Sequence, residues 1–167
     1  MDKNDKFCRI CGTRLEIREF RDEGPVPYCP SCDRFRFPRF NTAVSMIVIN
    51  EFTDEMLLVK QYGRTDFILV AGYVNKGESL EDAVIREIKE ETGMTVSRMK
   101  FNRTRYYERT DTLVCNFTVF VRDAEQINTN YEIDSYKWFA HDEAKINIKP
   151  DSLAAYYLNA YIDETDV

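Results

Sequence analysis

The sequence predicts an α/β fold in which a mixed β-sheet is covered by helices on both faces, preceded by a small cysteine-rich module. Two observations carry this expectation. Runs rich in Val, Ile, Leu and Met are interrupted by one helical segment and followed by another, the order expected of a layered sheet. Composition also shifts near residue 41: residues 1–41 hold four of the five cysteines, four of the five prolines and a slight excess of basic residues. A length of 167 residues suits one ordinary domain plus such a module. We therefore expect residues 1–41 as the module and 42–167 as the main domain.

In the main domain, Thr42 to Asn50 and Glu55 to Lys60 read as strands, with Thr53-Asp54 suited to the turn of a hairpin. Phe67 to Val74 is a further apolar strand candidate. Ser79 to Thr92 reads as a helix, because Ser79 can cap it, Asp82 stands three residues on, and Gly93 stops it. Lys100 to Glu108 and Thr112 to Arg122 look extended, the second placing Leu113, Cys115, Phe117, Val119 and Val121 on one face. Tyr136 to Phe139 is a short strand, and Ser152 to Ile162 a closing helix with Leu153, Tyr156, Tyr157 and Ala160 apolar. His141 stands at the start of a short helix, and Cys115 reads as a core residue.

Cys8-Arg-Ile-Cys11 and Cys29-Pro-Ser-Cys32 are two Cys-x-x-Cys pairs whose spacing falls in the window of a four-cysteine zinc site. Each pair forms a knuckle presenting two thiolates, and two knuckles complete a tetrahedron with no open position, so the metal is expected to be structural. A module of ~40 residues hardly folds on burial alone, and Zn²⁺ binding supplies the missing free energy. The neighbouring Arg34-Phe-Arg-Phe-Pro-Arg-Phe40 interleaves arginine with aromatics. We read it as a one-sided strand with phenylalanines packed inward, in preference to a nucleic-acid contact.

The chemistry concentrates in Gly72 to Met94, a glycine-rich loop followed by an acidic helix. Glu87, Glu90 and Glu91 stand at i, i+3 and i+4 and so share one helical face. Like charges at that spacing repel, and they lie near the C-terminal end, where the macrodipole disfavours anions. A hard divalent cation such as Mg²⁺, which takes carboxylate oxygens and bridges to phosphates, offsets both costs.

This segment resembles the Nudix box, Gly-x5-Glu-x7-Arg-Glu-apolar-x-Glu-Glu-x-Gly-apolar, with Gly72, Glu78, Arg86, Glu87, Ile88, Glu90, Glu91, Gly93 and Met94 at its defining positions. The resemblance implies a Nudix-type α/β/α sandwich and hydrolysis of a diphosphate bond by activated water. It also implies that Glu87 and Glu91 are the principal ligands of Mg²⁺ (or Mn²⁺), with Glu90 a further ligand or a base. Ala71 would add its carbonyl, Arg86 would orient the carboxylates, and Glu78 would brace the loop. Glu132 falls where NADH pyrophosphatases carry a catalytic or metal-binding glutamate.

The order of zinc ribbon, Phe37-Pro-Arg-Phe40, strand and Leu69 to Val74 entering the box is similar to that of NADH pyrophosphatases. That group's further N-terminal domain has no counterpart in these residues. Its Ser-Gln-Pro-Trp-Pro-Phe-Pro-x-Ser signature is replaced by Thr104 to Thr112. There Tyr107 could stack on a base, and Arg105 or Arg109 could bind phosphate. The resemblance thus implies a small nucleotide substrate such as NAD(H), ADP-ribose, another nucleotide sugar, a free nucleoside triphosphate or NAD-capped RNA. A homodimer, common among ribbon-bearing relatives, is a further expectation.

The formal charge of −6 speaks against a general nucleic-acid binder and fits a chain that gathers carboxylates around a cation. A charged, signal-free N-terminus and the lack of a spanning apolar run lead us to expect a cytoplasmic protein without a membrane partner. The rival reading is a non-catalytic module that senses ADP-ribose or NAD, with its ribbon contacting nucleic acid or protein. Retention of every box carboxylate favours the enzyme.

Overall fold

The computed structural model of the chain describes residues 6–165. It divides into two compact units between Phe40 and Asn41. No helix among the described residues is long and apolar enough to cross a membrane.

The first unit is a three-stranded antiparallel sheet of β1 (Glu16–Glu19), β2 (Pro25–Cys29) and β3 (Arg34–Phe35). Its apolar content is small: Val26 and Tyr28 are buried, and Phe35 packs its ring against Phe20 and Tyr28 at 4.6 and 5.1 Å. The expected alternating strand from Arg34 to Phe40 is therefore corrected. Arg34 and Phe35 pair with β2, the Arg36 N–H adds one bond to the Pro27 carbonyl at 2.7 Å, and Phe37 and Phe40 stay about half exposed. Beyond Arg36, whose guanidinium reaches the Cys8 sulfur, Pro38 has no N–H to give a ladder.

The second unit is the expected mixed sheet. Its strands are β4 (Asn41–Asn50), β5 (Met56–Gln61), β6 (Val70–Tyr73), β7 (Val96–Tyr107), β8 (Thr112–Val121) and β9 (Ile133–Phe139). They run in the order β7-β8-β4-β5-β9, with β6 beside β4. The β4–β8 pair is parallel over its whole length, and every other pair is antiparallel. β4 is the axis: on one edge it carries β6 along its first half and β5 at its end.

Helix α1 (Leu80–Thr92) covers one face of this sheet, burying Ala83, Val84 and Ile88 against Val44, Val59, Val70, Cys115 and Phe117. Helices α2 (His141–Asn147) and α3 (Leu153–Thr165) cover the other, where Tyr157, Leu158 and Ile162 pack on Ile47, Ile49 and Leu58. The Tyr157 hydroxyl is buried but donates to the Val114 carbonyl at 2.9 Å, so its polar end is satisfied.

Two expectations change in detail. The run from Phe67 to Val74 is not one strand: Phe67 and Ile68 form isolated bridges to Ile148 and Val59, and pairing with β4 begins at Val70. Strands β7 and β9 extend beyond the predicted segments, because β8 and β5 offer a continuous partner edge. The helix signals hold as read. Ser79 Oγ accepts from the Asp82 N–H at 3.1 Å, and Gly93 takes a left-handed φ of 72° with its N–H on the Lys89 carbonyl.

Candidate active site and metal centre

In the first unit the four predicted cysteine sulfurs lie within 4.8 Å of one another. The Cys8–Cys32, Cys11–Cys29 and Cys11–Cys32 separations are 3.9, 3.5 and 3.4 Å. A tetrahedral zinc with bonds of about 2.3 Å sets its sulfurs roughly 3.8 Å apart, so the donor set fits that ion. The thiols do not ionise alike. The Cys11 backbone N–H, aided by Arg36, draws Cys8 down to about 5, while its contact with the Cys11 thiol pushes Cys32 up to about 12. A divalent cation resolves that conflict by stabilising all four thiolates together. Arg36 Nε and Nη2 reach Cys8 at 3.4 and 3.3 Å, partly offsetting the charge of a four-thiolate site.

In the second unit a cleft of about 530 Å³ opens where β6 enters α1. Ala71, Gly72, Arg86, Glu87, Glu90, Glu91 and Glu132 all line it. Thus residues from β6, the helix and a distant segment before β9 meet at one place. The helix brings three carboxylates to one side, and β9, pairing with β5, carries Glu132 to the other.

Arg86 is the hub of the cleft. Its Nε and Nη2 donate to Glu78 at 2.7 and 3.0 Å, its Nη1 to Glu87 at 2.7 Å and Glu90 at 3.1 Å, and Nη2 also to the Tyr73 carbonyl. Arg86 holds Glu78 at about 2, helped by the Asn75 N–H, so Glu78 is a permanent anion that clamps the loop to the helix. Glu87 sits flat over Gly72: a Cβ added at that position would overlap its carboxylate. The glycine is therefore required by close approach rather than by an unusual φ.

Glu91 is the deepest carboxylate, only 2 % exposed, and its partner is the neutral Gln61 amide at 2.8 Å. Burial, then the nearby Glu87 charge, raises it to about 8. Burial also raises Glu87, against the pull of Arg86. Glu90 is more than half exposed at the rim. The Tyr62 hydroxyl donates to Glu132, and that anion lifts the phenol to about 12. Among the described residues, only the cysteine sulfurs form a ligand group as tight as 4.8 Å. The carboxylates instead line the cleft more openly, two of them drawn toward Arg86.

Arg105 and Tyr107 do not line this cleft. They face a second cavity of about 430 Å³ between β7 and α3, where the Arg105 guanidinium stacks 4.2 Å from the Tyr156 ring centroid. The two cavities are neighbours, however. Arg105 and Tyr107 pair across the ladder with Val114 and Thr112, which line the carboxylate cleft, and cross-strand partners share a face. Arg109 lies in the 3-10 turn that follows β7, beside Thr110 of the cleft. His141 opens α2 with Nε2 3.5 Å from an Asp54 carboxylate oxygen, away from both cavities.

Sequence reasoning missed Gln61, Tyr62, Tyr73, Thr110 and Thr112, all of which line the cleft. Gln61 carried a weak signal, with Lys60 closing the apolar run Met56 to Val59, and Tyr73, Thr110 and Thr112 stand inside the Gly72–Met94 and Thr104–Thr112 segments; Tyr62 had none.

A glycine of β6 packed under a carboxylate, an arginine clamp and a buried glutamate thus meet in one cleft. The family comparison agrees: the NUDIX domain matches residues 39–160, and the chain belongs to that family. Among curated proteins it is similar to the NAD-capped RNA hydrolase NudC of Pseudomonas aeruginosa, 28 % identical over 162 residues, covering 96 % of this chain and 56 % of that protein. The NudC of Stutzerimonas stutzeri is 28 % identical over 159 residues, covering 94 % and 56 %. These matches support the NADH pyrophosphatase-like branch, although the chain spans little more than half the length of the curated relatives. A solved NUDIX hydrolase from Nitrosomonas europaea has a TM-score of 0.64 at 23 % identity, covering 95 % of this chain and 91 % of that one. The NUDIX domain of Shewanella oneidensis NrtR complexed with ADP ribose gives 0.64 at 15 % identity, covering 83 % and 94 %. At those identities the structures speak to the fold alone.

Proposed function

We propose that the chain hydrolyses the diphosphate bond of a nucleoside-diphosphate-linked compound, such as NAD(H), ADP-ribose or the NAD cap of an RNA, releasing a nucleoside monophosphate. The observation that carries the reading is Glu91. It is buried beside Glu87 with only a neutral amide as partner, a carboxyl that burial keeps protonated until a cation beside it stabilises the anion.

Glu87, Glu91, Glu90, Glu132 and the Ala71 carbonyl are the donors for Mg²⁺ or Mn²⁺, all hard oxygens that such ions accept. When bound, the cation neutralises diphosphate oxygens and lowers the pKa of water at its side. The chain's own residues do the rest. Arg86 keeps Glu87 seated on Gly72 and bridges it to Glu78, so the acidic face is preorganised. Glu90 at the exposed rim is a proton acceptor within reach of solvent. Tyr62 and Tyr73, both exposed beside the cleft, offer faces on which a base can stack. The distal half of the substrate is assigned to the adjoining cavity, with Tyr107 stacking and Arg105, or Arg109 nearby, on phosphate. The four cysteines hold Zn²⁺ as a structural ion.

The test is incubation with NADH, NAD, ADP-ribose and ATP in Mg²⁺, with AMP and phosphate as products. Turnover of none, together with tight ADP-ribose binding, would transfer the assignment to a sensor.

A further inference from the structure

We propose that Gln61, at the end of β5, and Tyr62, just beyond it, are positioning residues that bracket Glu91 and Glu132 and hold both carboxylates ready for one cation. Their role rests on the reading of the cleft as a divalent-cation site. Neither glutamate's own element can set their mutual placement, since Glu91 comes from α1 and Glu132 from the segment before β9. The end of β5 touches both. Gln61 stands in a row that is otherwise apolar: Leu57 and Val59 alternate with it and are fully buried beneath α1. A methionine or leucine would continue that packing. Gln61 is only 8 % exposed, and its Nε2 donates to Glu91 Oε2 at 2.8 Å. That bond offsets the cost of burying an amide and leaves Glu91 Oε1 for an ion.

Tyr62 follows with a left-handed φ of 54°, a conformation that costs free energy in any residue with a Cβ. The register of β5 on β9 shifts at the same place, between Lys60 and Gln61, and such irregularities re-aim side chains beside functional sites. The strained turn is tied down on its far side. The Tyr62 hydroxyl donates to Glu132, and the Gly63 N–H donates to Asp134 at 2.6 Å. Asn130 links the two glutamates from behind: its side-chain oxygen accepts from the Glu132 N–H at 2.9 Å, and its own N–H donates to the Glu91 carbonyl at 3.2 Å. Gln61, Glu91, Asn130, Glu132 and Tyr62 therefore close a circuit that spans the cleft. Tyr62 is 62 % exposed, so its hydroxyl adds little to packing. Partners that orient a metal ligand in this way are worth ~10- to 100-fold in affinity.

The test measures Mn²⁺ binding to the whole zinc-loaded chain by electron paramagnetic resonance, with no substrate present. Gln61→Met keeps the length and volume of the side chain and removes its N–H. Tyr62→Phe keeps the ring, and with it any base stacking, and removes only the hydroxyl. Each should weaken Mn²⁺ binding by at least ~10-fold. The Mg²⁺ concentration for half-maximal ADP-ribose hydrolysis should rise in parallel, while KM at saturating Mg²⁺ holds. A residue that acts through a carboxylate loses its effect once that carboxylate is gone. Tyr62→Phe should therefore change Mn²⁺ affinity less than ~2-fold in a Glu132→Gln background, and Gln61→Met likewise in Glu91→Gln. If Gln61→Met fails to fold, Tyr62→Phe, at an exposed position, decides alone. Unchanged Mn²⁺ affinity in the variants, or an equal loss in the Glu132→Gln background, overturns the proposal, as does an unaltered chain that binds no Mn²⁺. A chain that shows these ion effects and hydrolyses no diphosphate would sink the enzymatic reading and leave the bracket standing. Hydrolysis with ion affinity unmoved by the variants would do the reverse.

Discussion

Replacing Gly72 with alanine isolates the seat of Glu87. The added Cβ would collide with the carboxylate itself, while the φ of Gly72 suits any residue, so backbone strain does not confound the result. Glu87 must swing away and give up its 2.7 Å ion pair with Arg86. Both side chains are largely buried, and a charge-assisted bond there is worth about 1.5–3 kcal/mol. If that energy holds the metal-binding geometry, kcat/KM should fall by about 10- to 150-fold. Stability should fall by roughly 0.5–2.5 kcal/mol, the lost ion pair less the ~0.4–1 kcal/mol that alanine gains by narrowing the unfolded ensemble. The assay is Mg²⁺-dependent release of AMP from ADP-ribose, with thermal melting alongside. Gly77→Ala is the contrast: its φ of 88° strains any side chain, yet its Cβ meets nothing, so it should cost stability and leave the Glu87 seat intact. Unaltered kcat/KM and metal dependence in Gly72→Ala would refute the reasoning.

Glu91→Gln keeps the shape and removes a charge, and should lower turnover at least ~10²-fold; an unchanged rate would remove Glu91 from the site. The same residue predicts a pH dependence. Its folded pKa of about 8 lies above the unfolded value near 4.3, so Mg²⁺-free protein is most stable below that value and loses stability as pH rises through about 8. The loss should be on the order of a few kcal/mol, visible as a falling Tm between pH 5 and 8, and nearly flat in Glu91→Gln. Cys11→Ser should release zinc and unfold the module with little change in intrinsic hydrolysis; a folded, zinc-free variant with normal melting counts against a structural ion. Arg105→Ala should raise KM roughly tenfold for a dinucleotide while sparing kcat, and equal KM values would separate the β7–α3 cavity from the substrate.

What the sequence determined by itself is whatever lies within one helix, one loop or one knuckle. Ser79, Gly93, the Glu87–Glu90–Glu91 face and both Cys-x-x-Cys pairs were legible because their partners are near in the chain and fixed by helical period or turn chemistry. Gly72 was legible as a motif position, but its reason, the Glu87 carboxylate lying against it, belongs to the packing of α1 on β6. Tertiary structure alone decided that Gln61 holds Glu91, which depends on how α1 packs over β5, and that Tyr62 meets Glu132, which depends on how β5 pairs with β9. It also turned Arg105 and Tyr107 toward α3 and left Phe37 uncovered. Strand register and the facing of exposed side chains are set by contacts between segments far apart in sequence, and no local pattern encodes them.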